Sequence, residues 1–365
     1  MDNASQENLH TNANPLADAR GLFPEEIREM VEGMGEPAYR GAQIFTWLHR
    51  EAASSYQQMS NIGKMLRQRL EEDLPLARPS LIRRDESADG TVKFLFALAD
   101  GVLIESVLMH HREETGHTRH TVCLSSQAGC AMGCGFCSTA SLGFQRNLTA
   151  GEIVSQALEI ALTEKTTIHN AVYMGMGEPL LNWEAVKRSI QLLHHPLGQN
   201  IGIRRITVST CGLPEGILQL AEWELDPVLA VSLHAADDET RTRLMPVNRR
   251  YPLREVITAC RAYCMNTGKR ITFEYVMIKD VNIGEDAARK LSALLKGIPC
   301  NINLIPVNPG LHGYDCPDRQ EQARFLKALG GVGFEAVIRQ ERGQDIRGAC
   351  GQLAASRQQL DDPRS

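Results

Sequence analysis

The chain has 365 residues, 43% of them hydrophobic and 23% charged, which is typical of a globular protein larger than one average domain. Its net charge of −5 argues against non-specific coating of nucleic acid, and no uncharged apolar run is long enough to span a membrane. Because the N-terminus lacks a secretory signal, we expect a cytoplasmic protein whose ten cysteines serve metal or redox chemistry rather than structural disulfides.

The first 80 residues divide into a tail and a helical region. Residues 1–20 are polar and have no periodic apolar pattern, so we expect a disordered tail. From residue 21 to residue 80, three apolar groups repeat at helical spacing, and Pro24 with two following glutamates indicates a helix start. This region is predicted to be a small helical domain.

Residues 81–120 carry the pattern of a β-hairpin extension. Two Asp-Gly pairs, Asp89-Gly90 and Asp100-Gly101, each separate two apolar runs, which predicts strands over residues 81–87, 91–98 and 102–108. Four histidines follow, at positions 110, 111, 117 and 120. Their number would suit a metal site, but their irregular spacing among charged residues favours a solvated loop.

Residues 121–340 alternate between strand and helix patterns. The predicted strands are 121–126, 171–174, 205–209, 228–233, 271–277, 301–307 and 335–339, and the predicted helices are 149–163, 183–193, 214–221, 253–266, 285–296 and 319–329. Such alternation predicts an α/β fold with a parallel sheet, in which functional loops gather at the carboxyl ends of the strands. Residues 341–365 are expected to form a loop and a tail.

A C-x3-C-x2-C run follows the first of these strands. Its cysteines are Cys130, Cys134 and Cys137, and Phe136 precedes the last one. Three thiolates at this spacing can hold one face of a cubane [4Fe-4S] cluster and leave the fourth iron open. A zinc site would need a fourth ligand, and the other cysteines are distant singles. The run resembles the signature of the radical S-adenosylmethionine (SAM) enzymes.

Several polar residues come at the ends of later strands. Glu178, after Gly177 in the sequence GMGEP, offers a carboxylate to the ammonium group of SAM. Small donors, an imidazole and an amide follow at the ends of the next strands, and we expect these residues on the same rim: Ser209, Ser232, Leu233, His234 and Asn308. The alternatives are a tight turn with an exposed glutamate and serines that cap helices.

Two cysteines outside the cluster run stand out. Cys123 lies in a predicted strand, and Cys350 lies between Ala349 and Gly351 in a polar stretch near the C-terminus. A lone cysteine is most often a small buried apolar residue, but the surroundings of Cys350 are not those of a core. Glu105, in a predicted hairpin strand, would ordinarily pair with a residue of the neighbouring strand.

Seven segments extend the resemblance over residues 22 to 354. They are CLSSQAGCAMGCGFCSTASLGFQRNLTAGEIV, GMGEPLLN, SLHA, LMPVNRRYPL, ITFEYVMI, LIPVNP and DIRGACGQL. Together they resemble the RlmN family of dual-specificity RNA methyltransferases. The resemblance implies a partial (βα)6 TIM-like radical SAM barrel with the helical domain and the hairpin extension as additions. It also implies methylation at C2 of adenine 2503 in 23S rRNA and of adenine 37 in tRNA.

The resemblance implies a role for each matching residue. Cys350 takes a methyl group from one SAM, and a second SAM bound to the cluster is cleaved to a radical that activates this methyl group for attack on C2. Glu105 removes the C2 proton, and Cys123 attacks Cys350 to release the product, which leaves a Cys123–Cys350 disulfide. The resemblance also implies contacts of the helical domain with RNA, an electron donor such as flavodoxin or ferredoxin, and a monomer.

Two alternatives remain open at this point. The related Cfr enzymes methylate C8 of the same rRNA adenine and share most of the segments. A non-catalytic iron–sulfur or zinc protein that binds RNA would retain the clustered cysteines, but it would have no use for GMGEP or for Cys350.

Overall fold

The computed structural model describes residues 18–112, 116–308 and 313–354. Its helices are α1 (Pro24–Gly33), α2 (Tyr39–His49), α3 (Lys64–Asp73), α4 (Ala150–Glu164), α5 (Trp183–His194), α6 (Pro214–Glu222), α7 (Asp238–Leu244), α8 (Leu253–Thr267), α9 (Glu285–Leu295) and α10 (Arg319–Gly331). Its strands are β1 (Ser80–Glu86), β2 (Val92–Ala97), β3 (Leu103–Arg112), β4 (Thr118–Cys123), β5 (Gln127–Gly129), β6 (Phe144–Asn147), β7 (Asn170–Tyr173), β8 (Ile206–Thr210), β9 (Val228–Ser232), β10 (Ile271–Met277), β11 (Cys300–Pro306) and β12 (Ala336–Ile338).

One ten-stranded sheet organises the molecule. Its order is β1-β2-β3-β4-β7-β8-β9-β10-β11-β12. Each of the strands β1 to β4 is antiparallel to its neighbour, whereas β4 and all later strands of the sheet are parallel. The predicted α/β barrel with a hairpin extension is confirmed. The extension is continuous with the barrel, because β3 pairs with β4 over residues 107–112.

The N-terminal helices are joined to the barrel by a buried charge network. The Arg20 guanidinium donates to Glu159 Oε1 at 2.7 Å, and Arg78 donates to both oxygens of the same carboxylate. Glu159 belongs to α4, so one residue of the barrel binds two arginines that flank the helical domain. We call this set of three residues the N-terminal joint. Of the expected tail, residues 1–17 lie outside the described residues, and Asp18 to Arg20 are buried at this joint.

A small second sheet supports the segment between β5 and β6, residues 130–143, which we call the cysteine loop. Strands β5 and β6 pair antiparallel on either side of it. Gly129, the last residue of β5, has φ +73°, and a Cβ there would lie 1.8 Å from the Gly143 oxygen. Only glycine permits this approach. Past β6, α4 begins with a capping box, in which Glu152 N–H donates to Thr149 Oγ1 and Thr149 N–H donates to the Glu152 carboxylate.

Two local predictions were wrong. The histidine segment is not a solvated loop, because β3 extends to Arg112 and β4 begins at Thr118, which places His110 opposite His120. Their Nδ1 atoms are 2.7 Å apart. Helix α7 was not expected, because its seven residues DETRTRL carry no apolar period. Within the described residues, no helix is both long enough and apolar enough to cross a membrane.

Candidate active site

A cavity that is open to solvent lies at the carboxyl ends of the parallel strands. The three clustered cysteines line one wall. The remaining wall includes Gly177, Glu178, Ser209, Ser232, His234, Asn308 and Cys350. The parallel-sheet argument therefore placed residues from five separate segments at the rim of one cavity, whereas Cys350 lay outside that argument. Leu233 is the exception, since its side chain is fully buried and does not line the cavity.

The cysteine loop presents its three thiols to this cavity. Gly135 N–H donates to Leu244 O at 2.8 Å, which ties the loop to the end of α7. Burial raises the pKa of Cys130 to about 12 and also raises that of Cys134, so without metal these thiols are protonated. Iron would replace those protons and relieve the cost of burying thiolates.

The chemistry of the donor set suits a cluster. Cys130, Cys134 and Cys137 all line the cavity, so three thiols face the same space, as one face of a cubane requires. Among residues 18–112, 116–308 and 313–354, no three His, Cys, Asp or Glu side chains are grouped as a site for one metal ion. The residues present fit a cluster with one open iron.

Glu178 is buried, which excludes the alternative of a solvent-exposed glutamate in a turn. Its carboxylate accepts from Leu180 N–H at 3.0 Å and from Cys211 N–H at 2.7 Å. Burial raises the pKa of the Glu178 carboxyl, and the backbone donors oppose that shift. Gly177 has φ +99° and would place a Cβ 2.5 Å from that of Gln127, so the turn packs against Gln127 without room for a side chain. A cationic ligand would relieve the buried charge.

His234 is a neutral hydrogen-bond donor at the cavity wall. Its Nδ1 accepts from Val276 N–H at 3.0 Å, which leaves the proton on Nε2. Burial and the charge of Arg241 lower the pKa of His234 to about 3. The ring meets Phe136 edge to face, with centroids 4.7 Å apart.

Arg241 is a site residue that the sequence did not single out. A basic residue in a polar helix is ordinarily part of a solvated face, but this side chain is fully buried. The guanidinium donates to the carbonyl oxygens of Cys211, Ser232 and Leu233 and to Asn248 Oδ1. It therefore ties the carboxyl ends of β8 and β9 together behind the cavity. One basic residue in a short polar helix carries no signal that would have revealed this.

A second open cavity adjoins the first. Cys123 and Cys350 both line it, and Asn308 and Arg339 line both cavities. Asn308 donates from Nδ2 to the Cys350 oxygen at 3.0 Å, so in this structure its amide holds the loop that carries Cys350. The sequence brought these two cysteines together only through the family resemblance.

All ten cysteines are free thiols, so the expected Cys123–Cys350 disulfide is absent from this structure. Burial, with a contribution from Cys350, raises the pKa of Cys123 to about 12, while Arg339 opposes that shift. Cys350 is exposed at the cavity surface. The two thiols face one cavity and are not bonded to each other.

Glu105 is buried and lines neither cavity. Its Oε1 lies 3.2 Å from Lys93 Nζ, and its Oε2 accepts from Ala354 N–H at 2.6 Å. Burial raises the pKa of Glu105, and Lys93 opposes that shift. In this structure Glu105 therefore pairs with a residue of the neighbouring strand, and the chain after Cys350 covers its carboxylate.

Two family models match the chain. The radical SAM superfamily matches residues 124–291, and the ribosomal RNA large subunit methyltransferase N-terminal domain matches residues 18–75. The second match covers the helices joined to α4 through Arg20 and Arg78. The first covers the cysteine loop and most of the parallel strands.

Relatives match over nearly the whole length. A probable dual-specificity RNA methyltransferase RlmN of Heliobacterium modesticaldum is 49% identical over 92% of this chain and 89% of its own. Its namesake from Moorella thermoacetica is 48% identical over 94% and 99%. The crystal structure of a radical SAM methyltransferase from Sphaerobacter thermophilus superimposes with a TM-score of 0.89 at 44% identity, covering 93% of this chain and 99% of that one.

Proposed function

This chain belongs to the RlmN family of radical SAM RNA methyltransferases, and on that premise we propose that it methylates C2 of adenine 2503 in 23S rRNA and of adenine 37 in tRNA. One observation supports the proposal above the others. Two thiols from distant parts of the chain, Cys123 and Cys350, line one cavity directly beside the cavity of the clustered cysteines. A methyl carrier and a resolving thiol need that proximity.

Cys130, Cys134 and Cys137 would hold a [4Fe-4S] cluster, and Glu178, with the serines, His234 and Asn308, would hold SAM. When bound, the cluster and SAM supply a one-electron reaction that removes a hydrogen atom from a methyl group. This chemistry is needed because C2 of adenine is an electron-poor carbon that cannot attack a sulfonium methyl group. Two SAM molecules are consumed per product, one as methyl donor and one in the one-electron reaction.

Cys350 carries the methyl group. Its thiolate attacks the sulfonium methyl group of the first SAM, so a carbon–sulfur bond forms on Cys350 as the methyl–sulfonium bond breaks and S-adenosylhomocysteine leaves. After loss of one hydrogen atom, the methylene carbon bonds to C2 and links the RNA to the protein, and the unpaired electron of this adduct would pass to the cluster when the C2 proton leaves. Cys350 is suited to this step because it lines both cavities.

Glu105 is the proposed acceptor of the C2 proton. In this structure its carboxylate is bonded to Ala354 N–H and Lys93, so the proposal requires the Ala354 contact to open when RNA binds. Burial supports the role, since it raises the pKa of Glu105 and makes the carboxylate a better proton acceptor.

Cys123 releases the product. Its sulfur bonds to the sulfur of Cys350, and the electron pair of the carbon–sulfur bond passes to the methylene carbon, which takes up a proton and becomes the methyl group. The two cysteines lose two electrons to the disulfide, so a thiol reductant must restore them each cycle. A donor such as flavodoxin or ferredoxin would supply the one-electron reaction.

Replacement of the resolving thiol tests the proposal. Cys123→Ala should trap RNA covalently on Cys350, and wild-type protein should show no such adduct on denaturing gels under the same anaerobic conditions with SAM and a 23S rRNA fragment. Cys316→Ala is the matched control, because Cys316 lines neither cavity. Free, fully methylated RNA at wild-type yield from Cys123→Ala would overturn the role of Cys123.

The methylated position is tested separately. Nucleoside analysis of the product should show 2-methyladenosine. Detection of 8-methyladenosine instead would assign the chain the chemistry of the C8-methylating relatives. A protein with no methyl group on Cys350 after incubation with SAM would have only the structural role of an RNA-binding iron–sulfur protein.

A further inference from the structure

The turn between β1 and β2 contacts the stretch that carries Cys350. We call residues 87–91 the β1–β2 turn and residues 341–354 the Cys350 loop. Asp89 Oδ2 accepts from Gly343 N–H at 2.9 Å, while its Oδ1 accepts from Thr91 N–H at 2.8 Å. One carboxylate thus holds both its own turn and the backbone of the Cys350 loop.

A second carboxylate makes the reverse connection. Asp345, in the Cys350 loop, accepts from Ser87 Oγ at 2.5 Å and from Ala88 N–H at 3.1 Å. An aspartate from each segment therefore binds the backbone of the other. We call Asp89 and Asp345 the aspartate pair. This reciprocal arrangement fixes the register of the two segments as well as their separation.

The close fit between the β1–β2 turn and the Cys350 loop supports the same contact. Gly343 has φ +66°, and a Cβ there would lie 2.9 Å from Thr91 Cγ2. Beside it, Arg342 donates to the His110 oxygen in β3 at 2.8 Å. This end of the Cys350 loop packs against the hairpin extension without room for a side chain at Gly343.

The other end of the loop is bound to the cysteine loop. Ser138 N–H donates to the Gly351 oxygen and Thr139 Oγ1 donates to the Leu353 oxygen, each at 2.7 Å. Cys350 lies between this attachment and the aspartate pair. Its position in the two cavities therefore depends on both attachments.

We propose that the β1–β2 turn is the docking element of the Cys350 loop, and that Asp89 and Asp345 are positioning residues that hold the Cys350 thiol where it receives and delivers the methyl group. The inference rests on the proposed role of Cys350 as methyl carrier. Transfer from one sulfur to a carbon of a bound base tolerates little displacement, since misplacement by about 1 Å costs about a hundredfold in rate. The aspartate pair acts on the reaction only through the position of Cys350.

The experiment uses the full chain with its cluster reconstituted under nitrogen. Asp89→Ala, Asp345→Ala and the double variant remove the pair, and Asp345→Asn keeps one acceptor oxygen. Asp100→Ala is the matched control, because Asp100 occupies the other Asp-Gly turn and binds Val102 N–H and Arg146 instead. Three quantities are measured: hydrogen exchange in residues 341–354, the rate of Cys350 alkylation by iodoacetamide relative to Cys316, and methylated RNA formed per SAM cleaved.

In both single alanine variants, exchange and Cys350 alkylation should rise about fivefold or more, and methylated RNA per SAM cleaved should fall about tenfold. Asp345→Asn should restore part of that ratio, and Asp100→Ala should match wild type. The fold-change in the double variant should be larger than in either single variant but smaller than the product of the two single fold-changes, because both carboxylates join the same two segments.

Unchanged exchange and alkylation in Asp89→Ala and Asp345→Ala would overturn the docking proposal, whatever the RNA product. Loosening of the loop with an unchanged ratio of methylated RNA to SAM cleaved would overturn the positioning role. Absence of a methyl group on wild-type Cys350 would instead overturn the proposed function. Because alkylation and exchange need neither SAM nor RNA, the two failures are distinguishable.

Discussion

The N-terminal joint and the aspartate pair both fasten a peripheral segment to the sheet, but with different chemistry. In the joint, the Arg20 side chain is 0% exposed and the Glu159 side chain 7% exposed. In the aspartate pair, Asp345 is exposed and binds a hydroxyl and a backbone N–H. Opening the joint would leave buried charges without a partner, whereas water can replace the hydrogen bonds of the aspartate pair. The helical domain is thus attached permanently, and the Cys350 loop is attached reversibly.

The largest expected effect comes from breaking the joint. Glu159→Ala leaves the buried Arg20 guanidinium without its carboxylate, so the free energy of unfolding should fall by about 3–5 kcal/mol. Urea denaturation measures this loss. Glu164→Ala, which removes a more exposed ion pair with Arg84 from the same helix, should cost less than about 1 kcal/mol. Equal losses in the two variants would contradict the assignment of the joint as the permanent attachment.

A smaller effect on stability should come from the pH-dependent charge of Asp18, which lies beside the joint. Burial raises the pKa of Asp18 from 3.8 to about 6, so its protonated form favours folding. That contribution is complete below pH 3.8 and is lost as the pH rises through 6. Asp18→Asn keeps an acceptor for Arg20 N–H and should be more stable than wild type at pH 8 by about 1–3 kcal/mol, with no gain at pH 4. Thermal unfolding at both pH values checks this.

The stability contributed by the aspartate pair should change with pH in the opposite direction. Hydrogen bonds from Ser87 and Ala88 hold the pKa of Asp345 below its usual value, and those from Thr91 and Gly343 hold that of Asp89 low against the effect of burial. Stability from these groups is present above their unfolded pKa and is lost as the pH falls through the folded values. Acid should therefore release the Cys350 loop, whereas the protonation of Asp18 favours folding.

The smallest expected effect compares two glycines with positive φ. Gly343→Ala and Gly333→Ala should each lose about 1–2 kcal/mol through backbone strain. Only Gly343 faces the β1–β2 turn, whereas a Cβ at Gly333 meets nothing within 4 Å. Faster hydrogen exchange in the Cys350 loop is therefore expected for Gly343→Ala alone. Equal loosening of the loop in both variants would remove the shape argument for docking.

The sequence was sufficient for the barrel and most of its rim. Alternating apolar periods located the parallel strands, and the rule that loops gather at the carboxyl ends brought Glu178, Ser209, Ser232 and Asn308 to one cavity. These features could be predicted because local spacing encodes them. The relative positions of Cys123 and Cys350 came from the family resemblance, since no local pattern relates them.

Features that depend on contacts between distant residues escaped prediction. Arg241 stands in a polar helix, yet it is buried because carbonyl groups from two strand ends converge on it. The Asp-Gly turn at Asp89 was recognised as a hairpin, but nothing local shows that its carboxylate also binds Gly343 N–H. Glu105 was placed on its strand, while its cover by Ala354 depends on a chain segment far along the sequence.

The sheet has two edge strands, β1 and β12, and the chain that leaves β12 returns to the turn beside β1. The carboxylates of Asp89 and Asp345 therefore join the two ends of the sheet where a closed barrel would have a ladder of backbone hydrogen bonds. Breaking these bonds disturbs no strand pairing. The position of the Cys350 loop can therefore change while the ten-stranded sheet keeps its hydrogen bonds.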